Sequence, residues 1–148
     1  MIQIQKILAI GSLILTPTLM SSTQVSVVSQ QTVKWTVIGE CVDMYDDYQS
    51  VYTVNEGDNC YFRVTVKPAK PQRTVALQWY SSDEGRWIIE DEEKTNAKTG
   101  AANLYLDEYD SDGYFFDGEY EYRLGVARLG AMPAKLSPTF YVNFVTDW

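Results

Sequence analysis

An acidic segment between residues 107 and 119 carries the most specific ligand spacing in the sequence. If Glu108 is counted as position 1, carboxylates stand at positions 1, 3, 5 and 12 and Gly113 at position 6, which is the spacing of an EF-hand-type calcium loop. Glycine permits the bend that points alternate carboxylates toward one centre. The candidate calcium ligands are Glu108, Asp110, Asp112 and Glu119.

The same segment has a second interpretation as an ordinary turn. Position 9 is Phe116 rather than an oxygen ligand, position 1 is glutamate where aspartate is usual, and strands rather than helices are predicted on both sides. Asp-Ser-Asp-Gly favours a tight turn by its backbone chemistry alone. A weak extracellular calcium site and a ligand-free turn therefore both remain open, and no other cofactor is expected.

Aromatic side chains are the second group that could bind a ligand. The chain has 4 tryptophans and 11 tyrosines, and exposed aromatic rings stack on sugars or surround cations. Trp79 shares a strand face with Val75 and Leu77, so we predict a structural role for it. The tyrosines in loop-like segments are the candidate ligand contacts, namely Tyr45, Tyr48, Tyr52, Tyr109 and Tyr114.

Catalytic chemistry has little support in the composition. The chain contains no histidine, which removes catalytic triads, histidine-based proton transfer and imidazole zinc sites. Two acidic runs, residues 90–93 and 43–47, are predicted to be solvated loops. A hydrolase with paired carboxylates would need a cleft that a module of this size seldom provides, so we expect no enzymatic activity.

The charge balance limits the partners. The chain has 12 Lys and Arg against 20 Asp and Glu, a net charge of −8. Phosphate backbones and anionic lipid headgroups repel such a chain, so we expect neither nucleic acid nor a membrane surface as a general partner. An unknown protein or a glycan at the cell surface remains open.

The first 22 residues resemble a secretory signal. Lys6 is their only charge, residues 7–15 are apolar apart from Gly11 and Ser12, and Pro17 follows. This run is shorter than the roughly 20 residues of a membrane-spanning helix. We therefore predict a cleaved signal at 1–22, a short segment at 23–31 and one domain at 32–148, which is secreted or at the cell surface without stable membrane insertion.

Cys41 and Cys60 are the two cysteines of the chain. An even pair in an exported protein predicts one disulfide. Closing a loop of about 20 residues stabilises a fold by roughly 3 kcal/mol on the chain-entropy model.

The rest of the sequence predicts strands. From Thr32 onward, short runs rich in β-branched and aromatic residues alternate with turn clusters, and no useful helical period occurs. In residues 60–66, Phe62, Val64 and Val66 share a face with Cys60, while the intervening residues share the other. Seven to eight strands at this spacing predict an all-β fold, an antiparallel sandwich or barrel.

Three motifs resemble bacterial immunoglobulin-like and fibronectin-III-like sandwich modules of secreted or cell-surface proteins. They are the V-x-L-Q run at 75–78, the run at 95–102 that follows Trp87 and is similar to T-x-x-x-G-x-A, and D-G-x-Y-x-Y at 117–122. The resemblance implies an antiparallel immunoglobulin-like β-sandwich. It also implies that Trp87 packs inside and that Tyr120 is a tyrosine corner, with its hydroxyl bonded to the preceding loop.

Function follows only in outline from these features. The leading hypothesis is a secreted, non-enzymatic module for binding, adhesion or cell-envelope structure. The alternative is a small carbohydrate-binding module that uses exposed aromatics. A shared fold does not choose between them, because such sandwiches host many functions.

Overall fold

Ten strands and no helix make up the part of the chain that the structure describes. The computed structural model describes residues 31–46 and 49–146, with the backbone alone for 42–46 and 49. The strands are β1 (Thr32–Gly39), β2 (Val42–Asp46), β3 (Gln49–Asn55), β4 (Cys60–Lys67), β5 (Thr74–Ser81), β6 (Arg86–Lys94), β7 (Ala101–Tyr105), β8 (Gly118–Val126), β9 (Lys135–Leu136) and β10 (Phe140–Val145). No helix suited to crossing a bilayer occurs in these ranges.

The strands form two sheets, and the fold is all-β as predicted. Sheet A has the order β1-β4-β7, and sheet B has the order β2-β3-β10-β8-β5-β6, with the short β9 paired to β8. Buried side chains from both sheets form one cluster, which includes Phe62 and Val64 of sheet A and Leu77, Leu124 and Val142 of sheet B. The molecule is therefore a two-sheet structure rather than a barrel.

Alternation along the strands explains which side chains reach this core. In β4 the residues Cys60, Phe62, Val64 and Val66 are buried and the intervening ones are not. In β8 the even-numbered residues Tyr122, Leu124 and Val126 are buried. These faces agree with the period of two in the sequence.

Two contacts connect the sheets near their edges. The predicted disulfide is present between Cys41 and Cys60, with a Cα–Cα distance of 5.4 Å. At the opposite edge, Asp91 of β6 accepts a hydrogen bond at 2.8 Å from the backbone N–H of Tyr105 in β7. Sheet B thus provides a side-chain acceptor for the edge of sheet A.

Arg73 connects the loop before β5 to the loop after β8. Its side chain is 1% exposed. One guanidinium nitrogen donates to the carbonyl of Ala127 at 2.6 Å and to that of Pro133 at 3.1 Å. A buried cation therefore holds the segment between β8 and β9 in place.

Strand direction and strand number differ from the sequence prediction. The pairing of β3 with β10 is parallel, whereas the other strand pairs are antiparallel. There are ten strands rather than seven to eight, because β2 and β9 were not foreseen. A period of two identifies a strand but does not encode its direction or its neighbours.

The two acidic runs are the clearest correction. Residues 90–93, predicted to be a loop, belong to β6, and β2 includes Asp43 and Asp46. The register of β6 against β5 shifts between Leu77 and Gln78, so Glu90 is the extra residue of a β-bulge. Edge strands tolerate charged side chains and bulges, which also block further strand pairing.

Candidate functional site

The predicted calcium ligands do not converge on a centre. Asp110 Oδ1 accepts backbone hydrogen bonds from Asp112 and Tyr114, both at 2.9 Å. Glu108 Oε2 accepts one from Gly57 at 2.9 Å. Within residues 31–46 and 49–146, no group of three or more acidic or cysteine side chains could hold a metal ion. The segment forms a turn in which Asp110 and Glu108 accept backbone amides.

The candidate contact tyrosines lie in separate places. Tyr52 is half-buried and packs edge-on against Phe62 and Phe140, with ring centroids 5.9 and 5.6 Å away. Tyr109 and Tyr114 are exposed at the end of the molecule that holds the acidic turn. Tyr45 belongs to β2, where only the backbone is described, and Tyr48 lies outside the described residues. They form no common binding platform among the described side chains.

The aromatic residues assigned structural roles occupy two faces of sheet B. Trp79 is half-buried against the core and meets Tyr120 edge-on at 6.3 Å. Trp87 lies on the outer face, where the guanidinium of Arg123 stacks over its ring at 4.2 Å. The implied inward position of Trp87 is therefore wrong, since it pairs with Tyr80 on the solvent side of the sheet.

Tyr120 and Tyr122 differ in burial. The Tyr120 hydroxyl donates to the carbonyl of Asp117 at 3.3 Å from an exposed position. Tyr122 is 2% exposed, and its hydroxyl donates to Glu90 Oε1 at 3.3 Å. The backbone bond of Tyr120 has the form expected of a tyrosine corner, but Tyr122 is the more deeply buried of the two.

Glu90 is a carboxylic acid whose pKa is strongly raised. Burial raises its pKa to about 8, and the nearby Asp107 amide and Tyr122 hydroxyl offset the shift only in part. Oε2 is enclosed and makes no hydrogen bond within the described part of the chain. At neutral pH the carboxyl is therefore mostly protonated, as its low-polarity surroundings require.

The outer face of sheet A carries a charge pattern that sequence reasoning missed. We define the basic face as the outward side chains of β1, β4 and β7. Its exposed cations are Lys34, Arg63 and Lys67. None of these three strands, nor the loops 68–73 and 95–100 beside them, contains Asp or Glu, although the chain has 20 acidic residues. A scan for segments without acids would have found this signal.

Strand register brings the three cations together. Lys34 of β1 pairs with Thr65 of β4. Arg63 and Lys67 are therefore its two diagonal neighbours, with Cα–Cα distances of about 7 to 8 Å. Arg63 donates from Nε to Asn103 at 3.0 Å, and Lys67 donates from Nζ to the carbonyl of Thr99 at 2.7 Å. Both acceptors are neutral, so the hydrogen bonds orient the side chains without compensating their charge.

Loop packing adds two further cations at one end of this face. Lys70 follows β4 and Lys98 precedes β7. A side chain at Gly100, whose φ is +74°, would collide with the carbonyl of Val66 and approach Ala69. Glycine is required there because residue 100 comes close to Val66 and Ala69, which brings the loop that carries Lys98 next to the loop that carries Lys70.

A shallow depression opens on the basic face beside Arg63. It has a volume of about 420 Å³ and is lined by Arg63, Asn96, Thr99, Ala101, Ala102 and Asn103. Nearby, the rings of Tyr61 and Tyr105 lie 5.4 Å apart at a 35° tilt, and Tyr105 is 54% exposed. Cationic, amide and hydroxyl groups are thus concentrated next to an accessible aromatic ring.

A second cavity lies between the sheets at the β1 edge. It has a volume of about 190 Å³, with apolar walls that include Trp35, Tyr52, Phe62 and Phe140. Ligand pockets usually have volumes of about 300 to 1,000 Å³. This cavity is therefore smaller than a usual ligand pocket.

Comparisons with known proteins give one weak structural likeness. No family model and no curated protein sequence matches the chain. The fold is similar to part of the crystal structure of dimeric latent PorU from Porphyromonas gingivalis, with a TM-score of 0.47 and 16% identity. The likeness covers 76% of this chain and 10% of that one.

Proposed function

We propose that this chain is an exported, non-enzymatic immunoglobulin-like module that acts by binding at the cell surface. The observation that carries the proposal is the strand arrangement. On this proposal, β1, β4 and β7 take the places of strands A, B and E of an immunoglobulin sandwich, and β10, β8, β5 and β6 those of G, F, C and C′. Such modules commonly bind through an exposed sheet face or end loops.

Two features support export and binding. The Cys41–Cys60 disulfide suits an oxidising compartment and agrees with the signal-like start of the chain. The basic face is exposed and chemically unlike the remaining acidic surface, and surface patches of this kind often mark interaction sites.

The experiment is a binding titration with the secreted chain. Fluorescently labelled protein is mixed with isolated cell envelopes, and bound fluorescence is measured against concentration. We expect saturable binding that unlabelled protein competes away. Binding that rises linearly without saturation, or no binding, would overturn the proposal.

Carbohydrate binding is the second candidate, and a specific observation favours it. The depression beside Arg63 presents the amides of Asn96 and Asn103 and the hydroxyl-bearing Thr99. Such groups pair with sugar hydroxyls, and the exposed ring of Tyr105 can stack on a sugar.

A further inference from the structure

We infer that the basic face binds an acidic polysaccharide, that is, a glycan whose sugars carry carboxylates or sulfates. This inference rests on the proposed binding function and names the ligand class of that same surface. Its basis is the juxtaposition of three uncompensated cations with the polar depression and the exposed Tyr105.

The charges of the basic face are available to a ligand. Lys34, Arg63 and Lys67 take part in no ion pair within the described residues, where the recorded pair is Arg86 with Glu84. Two carboxylates at the Tyr61 and Tyr105 end of the face are engaged by the backbone, since Glu40 accepts the N–H of Asn59 and Asp91 that of Tyr105. The three positive charges on one face repel one another, and a bound anion reduces this repulsion.

Arg63 favours anionic groups with two oxygens. Its Nε is held by Asn103, which fixes the guanidinium plane beside the depression. The two terminal nitrogens then form a fork that matches a carboxylate or sulfate. Along the strands Lys34 and then Lys67 follow Arg63 as point charges, so successive anionic sugars can each meet a cation.

The surroundings favour a glycan over a protein. Protein interfaces have apolar cores that are depleted in lysine. The basic face instead surrounds its cations with threonine, asparagine and tyrosine, including Thr36, Thr65 and Asn103. Hydroxyls and amides of this kind pair with sugar hydroxyls.

The rest of the molecule disfavours a membrane or nucleic acid. With a net charge of −8, the chain repels a planar anionic bilayer or a long phosphate duplex, because either would also approach the acidic surfaces. A single flexible polysaccharide chain can follow one face, and charges beyond about 8 Å are largely screened at physiological salt.

The test measures binding of the secreted chain by calorimetry. The probes are polygalacturonate, its fully methyl-esterified form, dextran sulfate and neutral dextran. We expect binding to an anionic member of a pair and none to its neutral counterpart. Polygalacturonate and dextran sulfate distinguish carboxylate from sulfate, and failure to bind either overturns the inference.

Matched variants locate the site. Replacing Lys34, Arg63 and Lys67 together by alanine should weaken binding at least tenfold and flatten its salt dependence. The control replaces Arg86, Arg128 and Lys135, which are exposed cations on the sheet B side, by alanine and removes the same charge. Equal weakening by both triple variants would show a diffuse charge effect and overturn the inference.

A further comparison separates sugar recognition from ion exchange. Tyr105→Ala should weaken polygalacturonate binding about fivefold with an unchanged salt slope, whereas Tyr114→Ala at the acidic end should have no effect. Polyglutamate or an oligonucleotide binding as tightly as the polysaccharide would overturn the inference. If the parent chain does not bind cell envelopes, the proposed function is refuted. If the triple variant of the basic face still binds them as the parent does, this inference alone is refuted.

Discussion

Cations on the two sheets have opposite local environments. On the outer face of sheet B, Arg123 stacks on Trp87 and donates to Gln78 at 2.7 Å, and acidic Glu119 and Glu121 share its strand. On the outer face of sheet A, Arg63 and Lys67 donate to neutral partners, Asn103 and the carbonyl of Thr99. Arg123 of sheet B is therefore engaged in the fold, whereas the cations of the basic face remain available to a ligand.

Arg73 extends this comparison to the interior. Its guanidinium donates to backbone carbonyls in place of water, and burial lowers its pKa. The contribution of a cation to stability should therefore increase from the basic face through Arg123 to Arg73. Substitutions can test that order and the buried contact between Glu90 and Tyr122.

Arg73→Leu should cause the largest loss of stability. Leucine leaves the carbonyls of Ala127 and Pro133 without their donor, at a cost of about 3 to 5 kcal/mol in the free energy of unfolding. Urea denaturation measures the change, and Arg73→Lys serves as a partial replacement. A loss below 1 kcal/mol would show that the buried cation does not hold this loop.

Stability should fall as pH rises from about 4.5 to about 8, because of Glu90. Its folded-state pKa is raised to about 8, so the native state binds a proton that the unfolded state has released. Above pH 8 the native state must hold Glu90 in its charged form at a poorly solvated position, which is unfavourable. Glu90→Gln should remove this fall and stabilise the protein by on the order of 2 kcal/mol at pH 9. Thermal melts of both proteins across pH 4 to 9 measure it, and parallel curves would contradict the assignment.

Tyr122→Phe should destabilise the protein more than Tyr120→Phe. The first removes a buried hydrogen bond to Glu90 and should cost about 1 to 3 kcal/mol, whereas the second removes an exposed one and should cost under about 1 kcal/mol. This order reverses the one implied by the tyrosine-corner resemblance. Chemical denaturation of both variants decides between the two orders.

Arg123→Ala should cost about 1 kcal/mol. The substitution removes the cation over Trp87 and the hydrogen bond to Gln78 on a partly exposed face. Its effect on stability should therefore be intermediate between those of Arg73 and the basic face. Urea denaturation measures stability, and the same sample serves as a single-site control in the polysaccharide titration, where no change is expected.

Arg63→Ala should have the smallest effect on stability, within about 0.5 kcal/mol. Its hydrogen bond to Asn103 is exposed, and removing one of three clustered cations also removes repulsion. A loss above 1 kcal/mol would show that Arg63 serves the fold, and the contrast between the two sheets would then disappear.

Much of the architecture could be predicted from single-strand patterns. The alternation in β4 and β8 fixed which residues are buried, because a strand has a period of two whatever its neighbours are. The disulfide could also be predicted, because two cysteines allow one intramolecular pairing. The candidate site was harder to predict, because the spacing of carboxylates does not show which groups they bind. Asp110, for example, accepts hydrogen bonds from the backbone amides of its own turn.

Tertiary structure decided the properties that depend on neighbours. The sequence shows that residues 32–39, 60–73 and 95–105 lack acids, but only strand register places Lys34 between Arg63 and Lys67. The sequence also cannot show that a β-bulge brings Glu90 to Tyr122, or that Trp87 lies on the outer face beneath Arg123. Burial and alternation are local consequences of the backbone, whereas charge clustering and pKa shifts arise from groups distant in sequence that folding brings together.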